Sequence, residues 1–365
     1  MAEISLSHTF KGHSDKCWST SVHKKYPLLA SVSSDKTCRL YNLNTKQLIA
    51  ILDDDTHSKA VRTVDWKPTG DFPSLAVGSF DSTISIWGRE DEDGDEMEIS
   101  VTAATASGSE WSLMAVIEGH ENEVKAVSWS CDGEYLASCS RDKSVWLWET
   151  DEANEEFECI NVIQDHSQDV KHVVWHPFTK FLATSSYDDT IRLYKQDSYD
   201  YDDWINVAVL TGHQGTVWHS DFEKIDPDQG IRLCSGSDDE TVRIWKRVSG
   251  AELSKQKNGE AIPSVVREDS HSDEWVEEAM LPKVHTGPVY SVSWNKNGLI
   301  ASASADGRIV VYEETAKGVW RVVAVKETTH GIFEVNSIEW WSSPDGEMLV
   351  SAGDDGNVNL WSLSL

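Results

Sequence analysis

Residues 136–148 have the sequence Leu-Ala-Ser-Cys-Ser-Arg-Asp-Lys-Ser-Val-Trp-Leu-Trp. A run of small and apolar residues, a polar turn and a second apolar run ending in tryptophan predict two antiparallel strands joined by a tight turn. Similar segments recur along the chain. Each is centred on one turn aspartate: Asp35, Asp81, Asp142, Asp188, Asp239, Asp306 or Asp355. The chain is therefore interpreted as seven copies of one repeat.

Further residues stand at similar places in every copy. An aromatic residue follows each aspartate by six positions: Tyr41, Trp87, Trp148, Tyr194, Trp245, Tyr312 and Trp361. A serine or threonine precedes the aspartate by four positions in six copies, and Val77 takes that place in the second copy. A histidine lies upstream of each hairpin: His13, His57, His120, His166, His213, His285 and His330.

This order of histidine, strands, turn aspartate and aromatic residue is the signature of a four-stranded WD-repeat propeller blade. One blade alone leaves both faces of its sheet unburied, so we expect an all-β, seven-bladed WD-repeat β-propeller that forms a single domain over residues 1–365. Residues 4–10 form a strand before the first repeat, and the chain ends on the third strand of the last one. The N-terminal strand is therefore predicted to complete the last blade and close the ring.

Two segments interrupt the repeat. Residues 89–111 are rich in Glu, Asp, Gly, Ser, Thr and Ala, and residues 247–272 are rich in Lys, Glu, Gly and Ser. Such compositions bury little apolar surface, so both are predicted to be acidic or polar loop inserts between the third and fourth strands of their blades. A solvated, solubilising surface is the favoured interpretation of these inserts.

Charge and cysteine content narrow the class of protein. The chain has 62 acidic and 32 basic residues, a formal net charge of −30, which argues against nucleic acid or an anionic membrane as partner. No apolar run approaches the ~20 residues of a membrane span, and the N-terminus lacks the features of a signal peptide. The six cysteines have no metal-ligand spacing. We therefore expect a reduced, intracellular and soluble protein with no cofactor and no metal site.

The histidine, hydroxyl and aspartate of each copy also invite a catalytic interpretation. An enzyme needs one such set, whereas this chain repeats it, so a buried hydrogen-bonded cluster in each blade is favoured. In the third copy the predicted structural residues are His120, Ser138, Asp142 and Trp148. The chain also lacks the P-loop, G-x-S-x-G and H-E-x-x-H motifs, so we predict that it is not an enzyme.

Two positions in each copy vary and should face one rim of the propeller. One precedes the turn aspartate, and the other follows the first residue of the inner strand. They contain the nine predicted partner- or peptide-binding residues, which are Trp18, Arg62, Phe80, Lys125, Arg141, Lys171, Tyr187, Trp218 and Tyr290. For any single residue, pairing with a neighbouring acid or packing on a loop is an equally good explanation.

For the set as a whole, a binding surface is the favoured explanation. Exposed aromatic residues are typical of binding surfaces, and bases retained in so acidic a chain indicate a local positive field. The expected ligand is a short peptide with an acidic group or free carboxylate and a bulky apolar side chain. Arg141 stands out within the turn, because arginine can form two hydrogen bonds to a carboxylate.

Several segments resemble the WD-repeat subunit of the cytosolic iron–sulfur protein assembly machinery, and the resemblance extends over all seven repeats. The segments that carry it are Ile117-Glu-Gly-His-Glu-Asn-Glu-Val-Lys125, Ser140-Arg-Asp-Lys-Ser-Val-Trp146, His166-Ser-Gln-Asp-Val-Lys-His-Val-Val-Trp-His-Pro177, Ser186-Tyr-Asp-Asp-Thr190, Gly78-Ser-Phe-Asp-Ser-Thr83 and Gly353-Asp-Asp-Gly-Asn-Val-Asn-Leu-Trp361. The two inserts depart from the family pattern.

The resemblance implies a non-catalytic scaffold that helps transfer [4Fe–4S] clusters to cytosolic and nuclear apoproteins. Its implied partners are an iron-only-hydrogenase-like carrier, a small acidic-type assembly protein, a HEAT-repeat scaffold and client apoproteins, some recruited through C-terminal peptides that end in an aromatic residue. The implied location is cytoplasmic and also nuclear. An alternative within the adaptor class is a WD-repeat reader of modified peptides in a ubiquitin-ligase or chromatin complex.

Overall fold

The computed structural model describes residues 2–52, 55–89, 105, 110–151, 154–197, 203–225, 230–248, 273–343 and 346–364. These residues form 28 strands arranged in seven four-stranded antiparallel sheets. The seven-bladed, all-β propeller predicted from the repeat is confirmed. Among the described residues, no helix has the length and apolar character needed to span a membrane.

Each blade is named by its order in the chain, and its strands are given from the central channel outward. Blade 1 contains β2 (Cys17–Val22), β3 (Leu28–Ser33), β4 (Cys38–Asn42) and β5 (Gln47–Leu52). Blade 2 contains β6 (Val61–Trp66), β7 (Ser74–Ser79), β8 (Thr83–Gly88) and β9 (Ser112–Glu118). Blade 3 contains β10 (Val124–Trp129), β11 (Tyr135–Ser140), β12 (Val145–Thr150) and β13 (Phe157–Ile163). Blade 4 contains β14 (Val170–Trp175), β15 (Phe181–Ser186), β16 (Thr190–Gln196) and β17 (Trp204–Thr211).

The remaining blades follow the same order. Blade 5 contains β18 (Val217–Phe222), β19 (Arg232–Ser237), β20 (Val242–Arg247) and β21 (Trp275–Met280). Blade 6 contains β22 (Val289–Trp294), β23 (Ile300–Ser304), β24 (Ile309–Ala316) and β25 (Val319–Lys326). Blade 7 contains β26 (Val335–Ser343), β27 (Gly346–Gly353), β28 (Val358–Ser364) and, as its outer strand, β1 (Glu3–Phe10).

The ring closes as the two chain ends predict. Strand β1 pairs antiparallel with β28 from Glu3↔Ser364 to Phe10↔Val358, so the outermost strand of blade 7 comes from the start of the chain. Ile4 and Phe10 are both buried. This pairing leaves no open blade at the junction and ties the first residues to the last.

The core lies between neighbouring blades. One cluster, for example, joins Leu40 of blade 1 to Trp66 and Leu75 of blade 2, all of them buried. Five of the seven second strands are buried along their whole length, as in β11, and β19 and β27 are buried beyond their first residues. Apolar faces of adjacent sheets therefore cover each other, which is why single blades do not suffice and the stack must close.

The predicted structural residues of blade 3 form one hydrogen-bonded cluster. His120 Nδ1 lies 2.8 Å from Asp142 Oδ2, and His120 Nε2 lies 2.8 Å from Ser138 Oγ, which accepts a hydrogen bond of 3.0 Å from Trp148 Nε1. The carboxylate can only accept, so the network assigns the ring proton to Nδ1. The cluster is satisfied internally, in agreement with a structural role.

Blade 2 shows how the fold tolerates the missing hydroxyl. Val77 is directly opposite Ser85 in the β7–β8 pairing, and Ser85 Oγ lies 2.8 Å from His57 Nε2. Ser85 also accepts a hydrogen bond of 2.9 Å from Trp87 Nε1. The Ser85 hydroxyl on the opposite strand therefore takes the place of the absent serine hydroxyl as hydrogen-bond partner of His57. The repeat pattern alone did not reveal this exchange.

The two predicted inserts begin at the ends of third strands. Residues 89–111 connect β8 to β9, and residues 247–272 lie between β20 and β21. Most of both segments lies outside the described residues, so their interpretation as polar loops stays a prediction.

Candidate binding face

The rim that carries the histidine loops and the aspartate turns is called the top face. Every inner strand shows a register shift directly after its first residue, as between Val61 and Thr63 in β6. The residue inside the bulge is therefore displaced from the regular pairing, and such bulges commonly re-aim a side chain. In the seven blades these bulge residues are Trp18, Arg62, Lys125, Lys171, Trp218, Tyr290 and Asn336.

The bulge residues meet the residues that precede the turn aspartates, and together these two sets form the channel mouth. The rings of Trp18 and Phe80 are 6.4 Å apart between centroids. The Arg62 guanidinium lies 5.1 Å from the Trp18 ring centroid, and Lys125 Nζ lies 4.3 Å from that of Phe80. The structure therefore brings blades 1, 2 and 3 together through alternating cations and aromatic rings.

The other side of the mouth continues this arrangement. Lys171 Nζ lies 5.2 Å from the ring centroids of both Tyr187 and Trp218. Trp218 in turn packs edge-on against Tyr290 at 5.2 Å. Tyr187 is 54% exposed, whereas the other aromatic residues of the mouth are partly buried. Eight of the nine predicted residues thus form two groups of side-chain contacts around the mouth, one on blades 1 to 3 and the other on blades 4 to 6.

Arg141 lies apart from these ring contacts. Its side chain is 57% exposed, and Arg141 Nη1 lies 3.1 Å from Glu123 Oε1. Pairing with a neighbouring acid is the explanation that was equally good for any single one of the nine residues, and Arg141 shows it. The fold does not use Arg141 in the buried cluster of its own turn, which is formed by the neighbouring Asp142.

Two further bases of the mouth also have acidic neighbours. Lys125 Nζ lies 3.7 Å from Glu123, and Lys171 Nζ lies 3.2 Å from Asp169 Oδ2. Burial lowers the pKa of Lys125 to about 8; Glu123 opposes this change, while the nearby positive charges of Arg62 and Lys171 add to it. The bases are therefore close enough to repel one another.

Four positive residues cluster in one half of the mouth, whereas Lys16, which lies 5.8 Å from the Trp18 ring centroid, pairs with Asp354 of blade 7. Arg62, Lys125, Arg141 and Lys171 form a basic sector on blades 2 to 4. Acidic residues face the mouth from the opposite half. There Trp218 Nε1 donates to Asp238 Oδ1 at 2.5 Å, and Asn336 Nδ2 donates to Asp354 Oδ1 at 2.9 Å. The mouth is therefore polarised, a property that the list of residue types did not show.

Below the mouth the inner strands enclose a channel of about 770 Å³. The rings of His172 and His219 stack with centroids 3.7 Å apart and line its upper part. Burial lowers the pKa of His219 to about 3, and burial and its histidine neighbour hold that of His172 well below the ordinary value. Both rings are therefore neutral at physiological pH. Over the described part of the chain, no group of three or more His, Cys, Asp or Glu side chains could hold a metal ion.

Three partly buried carboxyl groups deeper in the channel link neighbouring blades. Asp65 accepts a hydrogen bond of 2.8 Å from the backbone N–H of blade 3, Asp221 one of 2.7 Å from blade 6, and Glu339 one of 2.9 Å from blade 1. Burial raises the pKa of Asp65 to about 6 and that of Glu339 to about 8. Sequence reasoning missed this role. The available signal was an acid in the fifth position of an inner strand, directly before a tryptophan or phenylalanine.

Comparison with known proteins gives a consistent result over the whole chain. Residues 4–42, 47–88, 111–149, 157–195 and 204–246 match the family described as "WD domain, G-beta repeat". Residues 285–364 match "Anaphase-promoting complex subunit 4 WD40 domain".

Curated relatives match over almost their full length. A protein of Candida albicans is 52% identical over 99% of this chain and 100% of its own, and one of Kluyveromyces lactis is 49% identical over 99% and 98%. A Candida dubliniensis protein is 51% identical over 99% and 100%. All three have the name "Probable cytosolic iron-sulfur protein assembly protein 1".

Proposed function

The chain belongs to the WD-repeat family and, within it, to the family of cytosolic iron–sulfur protein assembly protein 1, and from this membership we propose that it acts in cytosolic iron–sulfur protein assembly. The observation that carries the proposal is the identity of about half of all residues over the full length of the relatives.

Within this pathway the chain is a non-catalytic adaptor. Seven rigid blades around one channel offer a large surface for protein partners, and the polarised mouth supplies cations and aromatic rings of the kind that dominate protein interfaces. The histidine, aspartate and hydroxyl set of blade 3 satisfies its own polar groups inside the blade. The adaptor therefore works by binding and bringing partners together.

The proposed partners are those implied by the family resemblance. They are an iron-only-hydrogenase-like carrier of [4Fe–4S] clusters, a small acidic-type assembly protein, a HEAT-repeat scaffold and the client apoproteins. The cluster itself is cargo that passes between these proteins. The proposed location is the cytosol, and the nucleus where nuclear clients receive their clusters.

A reader of modified peptides in a ubiquitin-ligase complex is a second candidate, favoured by one observation. Blades 6 and 7 match a domain described for a subunit of the anaphase-promoting complex. That match covers only residues 285–364, whereas the assembly-protein relatives cover the whole chain. The assembly role is therefore the stronger proposal.

An affinity purification of the full-length chain from cytosol tests the proposal. Recovery of iron–sulfur assembly proteins supports it, whereas recovery of only ubiquitin-ligase or chromatin subunits with folded protein contradicts it. Arg141→Glu in the same experiment should weaken a top-face partner by ~2 kcal/mol or more, about 30-fold, because an exposed arginine at an interface is a typical hot spot.

A matched control separates this effect from a general change of charge. Arg321 also forms an exposed ion pair, with Glu313, on the outer strand of blade 6. Arg321→Glu makes the same charge change away from the top face and should leave partner recovery unchanged. Equal losses in both variants, or none in Arg141→Glu, would refute the proposed role of Arg141.

A further inference from the structure

The channel has a second mouth on the rim opposite the top face. Each inner strand runs from the top face to this rim, where the loop to the second strand of the same blade begins. Four of these loops and the last residues of β26 bring side chains to the lower part of the channel. This bottom mouth is lined by Lys24, Lys25, Phe178, Lys224, Lys296 and Trp341.

The loop of blade 1 is fixed by a buried histidine. His23 Nδ1 accepts hydrogen bonds from the backbone N–H groups of Lys25 at 3.0 Å and Tyr26 at 3.1 Å. Burial, together with the charges of Lys25 and Lys24, lowers the pKa of His23 to about 4, so the ring is neutral and can accept at physiological pH. Lys24 and Lys25 themselves are exposed. The loop therefore presents two consecutive lysines at the bottom mouth.

The loops of blades 6 and 4 are held in a similar way. Asn295 Oδ1 accepts hydrogen bonds from two backbone N–H groups of its own loop, at 2.9 and 2.8 Å, and the exposed Lys296 follows it directly. His176 Nδ1 accepts a hydrogen bond of 3.2 Å from the N–H group of Phe178, which is 54% exposed. Loops that are already ordered lose little conformational entropy when a ligand binds to them.

Among the described residues that line the bottom mouth, all four bases are lysines. Lys224 Nζ lies 3.3 Å from Asp221 Oδ2, so this lysine has an acidic partner. Over the described part of the chain, no carboxylate oxygen lies within 4 Å of Nζ in Lys24 or Lys296. Two exposed ammonium groups therefore lie at the mouth without a neutralising acid.

The carboxyl groups just inside the bottom mouth cancel only part of this charge. Burial raises the pKa of Glu339 to about 8 although Lys224 opposes the change, so Glu339 is mostly uncharged at pH 7. Burial also raises the pKa of Asp65 to about 6, and the charge of Lys24 opposes this rise. At physiological ionic strength the Debye length is about 8 Å, so more distant acids of the chain are largely screened. The bottom mouth is therefore a local positive site in an acidic protein.

The type of base favours a phosphate as the ligand. Arginine binds a carboxylate through its planar fork, whereas lysine is a point charge with rotatable donors and is a common ligand of phosphate. Lysines from blades 1, 5 and 6 approach the bottom mouth from different sides, which suits several phosphate oxygens at once. The channel volume of about 770 Å³ lies within the range of small-molecule sites, roughly 300–1,000 Å³.

We propose that the bottom mouth binds the phosphate groups of a small, multiply phosphorylated molecule. Lys24, Lys25 and Lys296 surround these phosphate groups. The Phe178 ring, exposed at the same mouth, contacts the organic part of the ligand. This site lies at the opposite end of the channel from the top face and is independent of the partners proposed there.

Isothermal titration calorimetry of the full-length protein tests the proposal, in phosphate-free buffer at physiological ionic strength and without divalent cations. Tripolyphosphate supplies the charge alone, adenosine supplies a ring alone, and adenosine triphosphate supplies both. We expect tripolyphosphate to bind at least ~10-fold more tightly than sulfate, adenosine triphosphate to bind at least as tightly as tripolyphosphate, and adenosine to show no binding. Tetraglutamate that binds as tightly as tripolyphosphate would overturn the assignment to phosphate, because the site would then take any polyanion.

Substitutions locate the site. The double variant Lys24→Gln with Lys296→Gln should weaken tripolyphosphate binding at least ~10-fold, because it removes both unpaired charges. Lys59→Gln with Lys143→Gln, the matched control, removes two exposed lysines from top-face loops and should leave the affinity unchanged. Phe178→Ser should weaken the binding of adenosine triphosphate more than that of tripolyphosphate. Equal losses in the two double variants would show only an effect of net charge and would overturn the assignment.

A measurement on the unmodified protein makes the test independent of variant folding. Limited acetylation followed by mass spectrometry reports how accessible each lysine amine is. Saturating tripolyphosphate should slow the acetylation of Lys24, Lys25 and Lys296 and leave the rates of Lys59 and Lys143 unchanged. Protection of top-face lysines instead, or no protection at any lysine, would contradict the proposal.

Discussion

Asp142→Ala should destabilise the propeller although the substitution removes only a small side chain. Asp142 accepts hydrogen bonds from His120 Nδ1 at 2.8 Å, from the backbone N–H of Glu121 at 3.0 Å and from that of Ser144 at 2.9 Å. It also accepts one from the Ser144 hydroxyl. Alanine leaves all of these donors without their acceptor.

The cost follows from which donors water can reach. Glu121 is exposed, so water replaces the carboxylate at its N–H group, whereas the His120 side chain is only 1% exposed and its Nδ1 proton keeps only the longer contact of 3.3 Å with Ser144 Oγ. A buried donor without a partner costs about 1–3 kcal/mol, and hydrogen bonds to a charged group contribute about 1.5–3 kcal/mol each. We expect a loss of about 3 kcal/mol in the free energy of unfolding.

The pH dependence of this loss has a defined sign. Burial acts to raise the pKa of Asp142, but hydrogen bonds from His120 and Ser144 outweigh it and hold the pKa well below the ordinary value of 3.8. A carboxylate with a depressed pKa contributes stability above the pKa of the unfolded chain and loses it as pH falls. The difference between the original protein and Asp142→Ala should therefore be full at pH 7 and shrink below about pH 4.

Urea unfolding followed by tryptophan fluorescence measures the free energy, and amide hydrogen exchange in β11 and β12 locates the change. With an unfolding entropy of about 2.1 cal/mol/K per residue, 365 residues correspond to a fall in Tm of only ~4 °C for 3 kcal/mol. Arg141→Ala is the control from the same turn, and it should change stability by less than ~0.5 kcal/mol. A cost below ~1 kcal/mol for Asp142→Ala, or an equal cost for Arg141→Ala, would show that the cluster does not stabilise the blade as argued.

Three further outcomes are expected. Arg232→Met should destabilise the fold by ~3–5 kcal/mol in urea unfolding, because Arg232 Nη atoms lie 2.6–3.1 Å from three glutamates that would be left together without a cation. Arg321→Met removes an exposed ion pair and should cost less than ~1 kcal/mol. Similar costs for both would contradict this. Burial raises the pKa of Glu339 to about 8 from an ordinary 4.5, so the folded state holds a proton that the unfolded state releases, and the free energy of unfolding should fall between about pH 4.5 and pH 8. Glu339→Gln should remove this pH dependence in urea titrations at several pH values. An unchanged pH dependence would count against the argument. Deletion of residues 2–10 should lower Tm and increase amide exchange in blade 1 as well as blade 7, because β1 is the outer strand of the closing sheet. An effect confined to blade 7 would argue against ring closure as the source of stability.

Ring architecture could be predicted because its signals are local. The spacing of histidine, hydroxyl, aspartate and aromatic residue reports a hairpin and its hydrogen bonds within some 30 residues, and both the strands and the blade 3 cluster were found as expected. The N-terminal strand was equally predictable, since a repeat that lacks its outer strand must obtain it from elsewhere.

Val77 and Ser85 show where repeat spacing fails to predict a hydrogen bond. The two residues are eight positions apart in the chain yet directly opposite in the β7–β8 pairing. A pattern tied to sequence position records the missing hydroxyl as a gap. Only the register of the hairpin shows that the same point in space is filled from the neighbouring strand.

The candidate binding face also has a part that the repeat predicted and a part that it did not. That nine particular residues face one rim followed from the repeat, because each occupies an equivalent position in its own blade. Which of them contact one another did not follow, because those contacts join residues of different blades. Arg62 and Lys125 influence each other across 63 positions of chain, and Trp18 reaches Arg62 across 44.

By itself, the sequence determined the seven blades, the closing strand and the hydrogen-bonded cluster around Asp142, since these depend on local spacing and on the need to satisfy buried polar groups. Tertiary structure alone decided the balance of charge at the channel mouth. Side chains from separate blades meet there, and the distance between a base and a carboxylate depends on where the strands and turns place the two groups. For this reason Arg141, the conspicuous base of residues 136–148, is paired with Glu123, while the less conspicuous Arg62 is the one that the described structure leaves without a carboxylate.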